Sequence, residues 1–152
     1  MKTMKGDLLH LARQGHFDVI VHGCNCFRRM DAGIARQIQW EYPEAYETDC
    51  LTPLGDEGKL GTINLTETKD GFTIVNAYTQ YGFGAGKVHA NYKAILECFR
   101  LIARRFPESR IGYPMIGAGL ARGDWNIIYP IIKDALYDMD HTLVIYEPDK
   151  IL

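Results

Sequence analysis

Residues 22–35 and 114–125 hold the densest collection of groups able to handle an anion. The first run reads His22-Gly-Cys-Asn25-Cys-Phe-Arg28-Arg29-Met-Asp31-Ala-Gly33-Ile-Ala35. The second reads Pro114-Met-Ile-Gly117-Ala-Gly119-Leu-Ala-Arg122-Gly123-Asp124-Trp125. Glycine permits positive φ and a close approach of backbone to ligand, and a helix that starts just after such a turn points unpaired N–H groups outward. Each run can therefore cradle phosphate oxygens with amides rather than with lysines. Two such turns facing one another could grip a diphosphate, while either alone is also an ordinary tight strand-to-helix connection.

The spacing narrows the chemistry. Gly117-x-Gly119-x-x-x-Gly123 is one residue too long for the dinucleotide fingerprint, and no Gly-Lys-Ser/Thr follows to make a P-loop. Hydride transfer and nucleoside-triphosphate hydrolysis are disfavoured. A phosphatase of the Cys-x5-Arg type would need arginine at 30 or 32, where the chain has Met30 and Ala32. His22-x-Cys24-x-Cys26 offers three soft donors without a fourth at finger-like spacing. No metal site is expected, and Cys24 and Cys26 read as small core residues.

The elements that must position these loops alternate. A brief strand at the N-terminus precedes a short helix from about Asp7 to Gln14, and Phe17 to His22 is a β-branched apolar run that reads as a buried strand. Gly33 to Glu41 has helical spacing, with Ile34, Ile38 and Tyr42 on one face before Pro43 breaks it. A further short helix covers Glu44 to Cys50. Leu60 to Thr66 and Gly71 to Tyr78 are strands joined by a turn whose Asp70-Gly71 pair suits an antiparallel hairpin. Ala90 to Arg105 is the strongest helix, Arg110 to Met115 another strand, and His141 to Tyr146 the last. Asp124 can cap a helix running to about Asp138, with Pro130 implying a kink or a late start. The pattern predicts an α/β fold with a largely parallel sheet, made mixed by the hairpin, and places ligands outside the carboxyl ends of the strands.

Composition sets the outer limits. With 152 residues, 47% hydrophobic and 24% charged, and no repeat or linker, residues 1–152 read as a single globular domain. Lys+Arg 17 against Asp+Glu 19 leaves a formal charge of −2, without the basic footprint of a general nucleic-acid binder. Four cysteines form no recognisable disulfide framework and suit a reducing compartment. No apolar run reads as a signal peptide or a membrane span, so a cytoplasmic protein without a membrane partner is expected.

The chain resembles the macrodomain family of ADP-ribose-binding modules. The residues that carry the resemblance are Lys5-Gly6-Asp7-Leu8, Val21-His-Gly-Cys-Asn25-Cys-Phe, Ala32-Gly-Ile-Ala35, Pro43-Glu-Ala-Tyr46, Val75-Asn-Ala-Tyr-Thr-Gln80 and Pro114-Met-Ile-Gly-Ala-Gly-Leu120. It is similar in particular to small stand-alone bacterial and phage members that act as ADP-ribose-1″-phosphate phosphatases or remove ADP-ribose from glutamate. The resemblance implies a three-layer α/β/α domain with a mixed central sheet of about six strands. It implies ADP-ribose or a derivative as ligand, an ADP-ribosylated protein as a further partner, and no cofactor or metal.

Carried over by position, the resemblance assigns Asp7 to the adenine amine, beside Leu8, although Asp7 also suits a helix cap. Asn25 falls on the distal ribose, Gly33, Ile34 and Ala35 on the diphosphate, and Ile116, Gly117, Ala118, Gly119 and Leu120 on the second phosphate loop. Tyr146 supplies a flat face for adenine or packs as an ordinary strand residue. The glutamate-directed hydrolases carry a lysine and an aspartate where this chain holds Thr79 or Gln80 and Ala121. His22, Asn25, Thr79 and Gln80 then remain to position a water, with His22 the one general base near neutral pH or else a core histidine. Asp31 beside a phosphate loop calls for pairing with Arg28, Arg29 or Arg122, arginines that either hold an extra phosphate or are simply solvated. Hydrolysis at the distal ribose is the expected activity, and a non-catalytic ADP-ribose reader is the alternative.

Overall fold

A computed structural model describes residues 2–84 and 86–147. Six strands, β1 (Lys2–Gly6), β2 (Val19–Cys24), β3 (Ile63–Glu67), β4 (Thr73–Tyr78), β5 (Ile111–Tyr113) and β6 (His141–Tyr146), form one sheet in the order β1-β6-β5-β2-β4-β3. Every neighbouring pair is parallel except β3 with β4, the hairpin closed through Asp70-Gly71. Five helices cover the sheet: α1 (Leu8–Arg13), α2 (Gly33–Glu41), α3 (Pro43–Cys50), α4 (Tyr92–Arg105) and α5 (Trp125–Ala135).

The period of two along the strands assigns the two faces. Val19 and Val21 pack with Val75, Tyr113 and Leu143 under α4 and α5, which contribute Phe99, Ile102, Ile128 and Ile132. Ile20 points the other way and meets Ile74, Val144, Leu9 of α1, Ile38 of α2 and Ala45 of α3. Helices on both faces of a mixed sheet make the three-layer α/β/α arrangement. Among the described residues no helix is long and apolar enough to cross a membrane.

Local differences from the sequence reading have identifiable causes. β2 runs on through Gly23 to Cys24, because the parallel register with β4 continues to Gly23–Ala77 and Cys24–Tyr78. The strand expected from Leu60 begins at Ile63, since Asp56 accepts from the Gly58 N–H and winds Glu57–Lys59 into a 3₁₀ turn. Pro43 ends α2 and is also the first residue of α3, where its missing N–H costs nothing. Asp124 caps α5 as expected, so Pro130 sits inside the helix rather than delaying it, and the helix ends at Ala135, short of Asp138.

Candidate functional site

The carboxyl ends of β1, β2, β5 and β6 open into a cleft of about 790 Å³. That volume lies within the range of small-molecule sites. Gly33, Ile34 and Ala35 form one wall and Ile116, Gly117, Gly119 and Leu120 another, so the two glycine turns share this cleft.

The first wall is the N-terminus of α2. Helices α1, α4 and α5 are each capped by a side chain, Asp7, Asn91 and Asp124. The N-cap of α2 is Ala32, which makes no such bond, and no acidic residue stands in its first turn. The first N–H groups of α2 thus lack a side-chain acceptor of their own and carry the positive end of the helix dipole into the cleft. Gly33 turns there with φ +59°, and a Cβ at this position would meet nothing within 4 Å.

The second wall is a closed loop. Gly117 takes φ +76° and its carbonyl accepts the Gly123 N–H at 2.6 Å, while Arg122 N–H donates to the Gly119 carbonyl at 3.0 Å. Gly119 faces open space. His89 and Ala90, just before α4, are tied to this loop, because their N–H groups both donate to the Ala121 carbonyl, at 2.8 and 3.2 Å.

One end of the cleft is apolar, lined by Leu8, Val144 and the exposed ring of Tyr146. Asp7 is not on its wall. Its Oδ1 accepts the His10 N–H at 3.1 Å, the helix cap, and its Oδ2 accepts from Gln37 Nε2 at 3.0 Å. Gln37 does line the cleft, and sequence reading passed over it. It lies one helical turn beyond Gly33, a spacing that puts both on one face.

The opposite end gathers Asn25, Arg29, Asp31, Gln80 and Phe83. Asn25 organises its own loop: Oδ1 accepts the Phe27 N–H at 2.9 Å and Nδ2 donates to the Arg29 carbonyl at 2.8 Å, which leaves one amide hydrogen uncommitted. Gln80 donates to the Gly82 carbonyl at 2.8 Å. Arg29 pairs with Asp31 at 2.5 Å and lies over the Phe83 ring at 4.8 Å. The pairing expected for Asp31 therefore falls to Arg29. Arg28 is spent on the Thr52 carbonyl, reached by both Nε and Nη2.

His22 and Thr79 do not join this cluster. His22 is buried between strands, its register partner Asn76 bonded to Nε2 at 2.6 Å, and burial pushes its pKa down to about 4. Asn76 in turn donates to the Ala45 carbonyl at 3.0 Å, so the histidine belongs to the seam between sheet and α3. Thr79 lies beneath Gly23, where its Oγ1 would stand 2.6 Å from a Cβ at that position. Ala118 is likewise off the cleft wall. Cys24 and Cys26 are buried thiols, their pKa values raised by desolvation, and among the described residues no three His, Cys, Asp or Glu gather as a metal site.

No protein-family model matches the chain. An uncharacterised 17.5 kDa protein from the tk–vs intergenic region of Enterobacteria phage T4 is 34% identical, over 97% of each chain. The solved macrodomain of Mycobacterium tuberculosis DarG superposes with a TM-score of 0.72 at 26% identity, covering 98% of this chain and 99% of that one. The chain belongs to the macrodomain family. A DNA ADP-ribosyl glycohydrolase of M. tuberculosis is 28% identical over 94% of this macrodomain, which spans 41% of that protein's length. The mixed six-stranded sheet with helices on both faces is the architecture that this macrodomain shares with its structural neighbours.

Proposed function

We propose that this macrodomain binds ADP-ribose or a derivative of it, extended along the cleft. The observation that carries the reading is the pairing, within one cleft, of an α2 N-terminus without a side-chain cap and the closed Gly117–Gly123 loop. Between them a diphosphate meets amides and a helix dipole without needing a lysine, and no lysine lines the cleft among the described residues. Adenine lies at the Leu8–Val144–Tyr146 end, and the distal ribose faces Asn25, Gln80 and Phe83.

The reaction this arrangement best supports is hydrolysis at the distal ribose. The uncommitted hydrogen of Asn25 and the amide of Gln80 position a water, and Asp31, held by Arg29, accepts its proton. Water oxygen bonds to the anomeric carbon, the bond to the acceptor breaks, and the acceptor leaves with a proton. The similarity to a mycobacterial DNA ADP-ribosyl glycohydrolase supports this class. A non-catalytic reader is the second reading, favoured by the burial of His22 and Thr79 away from the cleft.

Calorimetric titration with ADP-ribose, AMP and NAD tests binding, with ADP-ribose expected to bind tightest. Incubation with ADP-ribose-1″-phosphate, glutamate-linked ADP-ribose and DNA-linked ADP-ribose tests turnover. Product above blank that disappears in Asp31→Asn supports hydrolysis, and no product from any substrate leaves the reader.

A further inference from the structure

Asn25 reaches the distal end of the cleft on a loop that is held from behind. Its Oδ1 accepts the Phe27 N–H at 2.9 Å and its Nδ2 donates to the Arg29 carbonyl at 2.8 Å, so the path of residues 25–29 sets the direction of its free amide hydrogen. That path is fixed by residues 52–59. The Cys26 carbonyl accepts two donors from this segment, the Gly55 N–H at 2.7 Å and Lys59 Nζ at 3.0 Å, while the Cys26 N–H donates to the Tyr81 carbonyl at 3.0 Å. Tyr81 Oη donates to the Gly55 carbonyl at 2.9 Å and closes the ring of contacts. Two residues further on, Arg28 grips the Thr52 carbonyl through Nε at 2.9 Å and through Nη2.

Two features set these contacts apart from ordinary packing. Arg28 holds φ +58°, a left-handed conformation that a residue with a Cβ keeps only where its surroundings impose it, and the Thr52 anchor does so here. Lys59 is 5% exposed. A lysine is almost never taken so far from water without a charged partner in contact, yet its Nζ donates to a backbone carbonyl and lies over the Tyr78 ring. That carbonyl belongs to the residue after Asn25. None of Cys26, Arg28, Thr52, Gly55 and Lys59 lines the cleft.

We infer that residues 52–59 brace the Asn25 loop, with Lys59 and Arg28 as positioning residues, so that the grip of Asn25 on the distal ribose depends on side chains outside the ligand's reach. The inference rests on the reading of the cleft as an ADP-ribose site and deepens it at one end. Without Lys59 the Cys26 carbonyl keeps a single donor from the segment, and the loop is free to shift. A hydrogen bond aimed at a ribose hydroxyl does not survive a misplacement of about 1 Å. The adenosine and diphosphate contacts stand on β6, α1, α2 and the Gly117–Gly123 loop, and do not feel the shift.

The test is a double-mutant cycle read by calorimetry on the full chain, well below its melting temperature, with ADP-ribose and with ADP, which lacks the distal ribose. Wild type is expected to prefer ADP-ribose, and Asn25→Ala to lower that preference about fivefold. Lys59→Met is expected to lower it by a similar factor with ADP affinity unchanged, and to lower it no further when combined with Asn25→Ala. A general loss of stability weakens both ligands alike and leaves the ratio where it was, so the ratio separates positioning from folding. If Lys59→Met fails to fold, Arg28→Gly takes its place with the same expected factor, because glycine adopts φ +58° readily and only the anchor is lost. A variant that keeps the wild-type ratio, or that adds its full effect to Asn25→Ala, would overturn the inference and leave the nucleotide reading standing. Wild type binding ADP as tightly as ADP-ribose would do the same. Wild type binding neither ligand would overturn both.

Discussion

The Gly123 N–H donates to the Gly117 carbonyl across 2.6 Å, and this bond closes the second phosphate loop on itself. The closure admits no side chain at 123. A Cβ there would stand 2.6 Å from the Gly117 oxygen, 2.7 Å from Ala90 Cβ and 2.8 Å from Ile128 Cδ1, while one at Gly119 would meet nothing within 4 Å. Gly123→Ala is therefore expected to lose about 1–3 kcal/mol of stability by overpacking and to weaken ADP-ribose by opening the loop. Gly119→Ala is expected to fold with unchanged stability and to lose affinity alone, because Gly119 lines the cleft and an added methyl there meets no protein atom. Urea unfolding beside ligand titration separates the two, and equal effects from both would contradict this account of the loop.

His22 carries a pH dependence of definite sign. Burial lowers its pKa from 6.5 to about 4, with the Asn76 hydrogen bond opposing the shift. The folded protein holds the ring neutral while the unfolded chain takes up a proton, so stability is flat above pH 6.5, falls between pH 6.5 and 4, and levels off below. The full loss amounts to roughly 3 kcal/mol. His141, also lowered by burial, acts in the same direction, whereas Asp18, held low by Arg110, contributes only in more acid solution. His22→Gln is expected to flatten most of this fall in urea titrations at pH 7 and pH 4.5. It is also expected to leave ADP-ribose affinity unchanged, since His22 is off the cleft; a loss of binding would return His22 to the site.

The elements legible in the sequence were those with a long period or an unambiguous stop. α2 and β6 occupy the residues that their patterns indicate, and the Asp70-Gly71 hairpin pairs antiparallel as its turn chemistry requires. Gly23 misled, because a glycine inside a buried parallel strand serves close packing over Thr79 rather than a turn. His22 could not be assigned from sequence, since a strand-end histidine becomes a core residue or a base according to its cross-strand neighbour, here Asn76. Arg28 and Arg29 are adjacent and alike in type, yet one is bonded to the Thr52 carbonyl and the other lies on the cleft. Gln37 and Phe83 were within reach, the first by helical spacing from Gly33 and the second by its place in the loop after a strand's carboxyl end.

The four thiols are expected to differ sharply in reactivity. Desolvation raises Cys24 and Cys26, and pushes Cys98 up to about 12, while Cys50 at the end of α3 is only half-buried. Alkylation proceeds through the thiolate, so iodoacetamide at neutral pH is expected to label Cys50 alone in the native protein and all four in urea. Peptide mass spectrometry gives the answer directly. Fast native labelling of Cys24 would contradict its placement in the core.

Lys59 is buried, with Nζ donating to the Cys26 carbonyl at 3.0 Å and lying 4.9 Å from the centre of the Tyr78 ring. Its charge also reaches Asp49, whose buried carboxyl accepts from Tyr78 Oη at 2.6 Å and is raised by desolvation, with Lys59 pulling the other way. Lys59→Met removes a donor from the Asn25 loop and a cation from beside Asp49, and is expected to cost roughly 1–3 kcal/mol at pH 7. An acid with a raised folded pKa lowers stability when ionised and ceases to do so once protonated. Asp49 rises further without Lys59, so the gap between variant and wild type is expected to shrink as pH falls from 7 toward 4. Urea unfolding of both proteins across that range checks it. A gap independent of pH would mean that Lys59 acts through the Cys26 carbonyl and Tyr78 ring alone, with Asp49 outside its field.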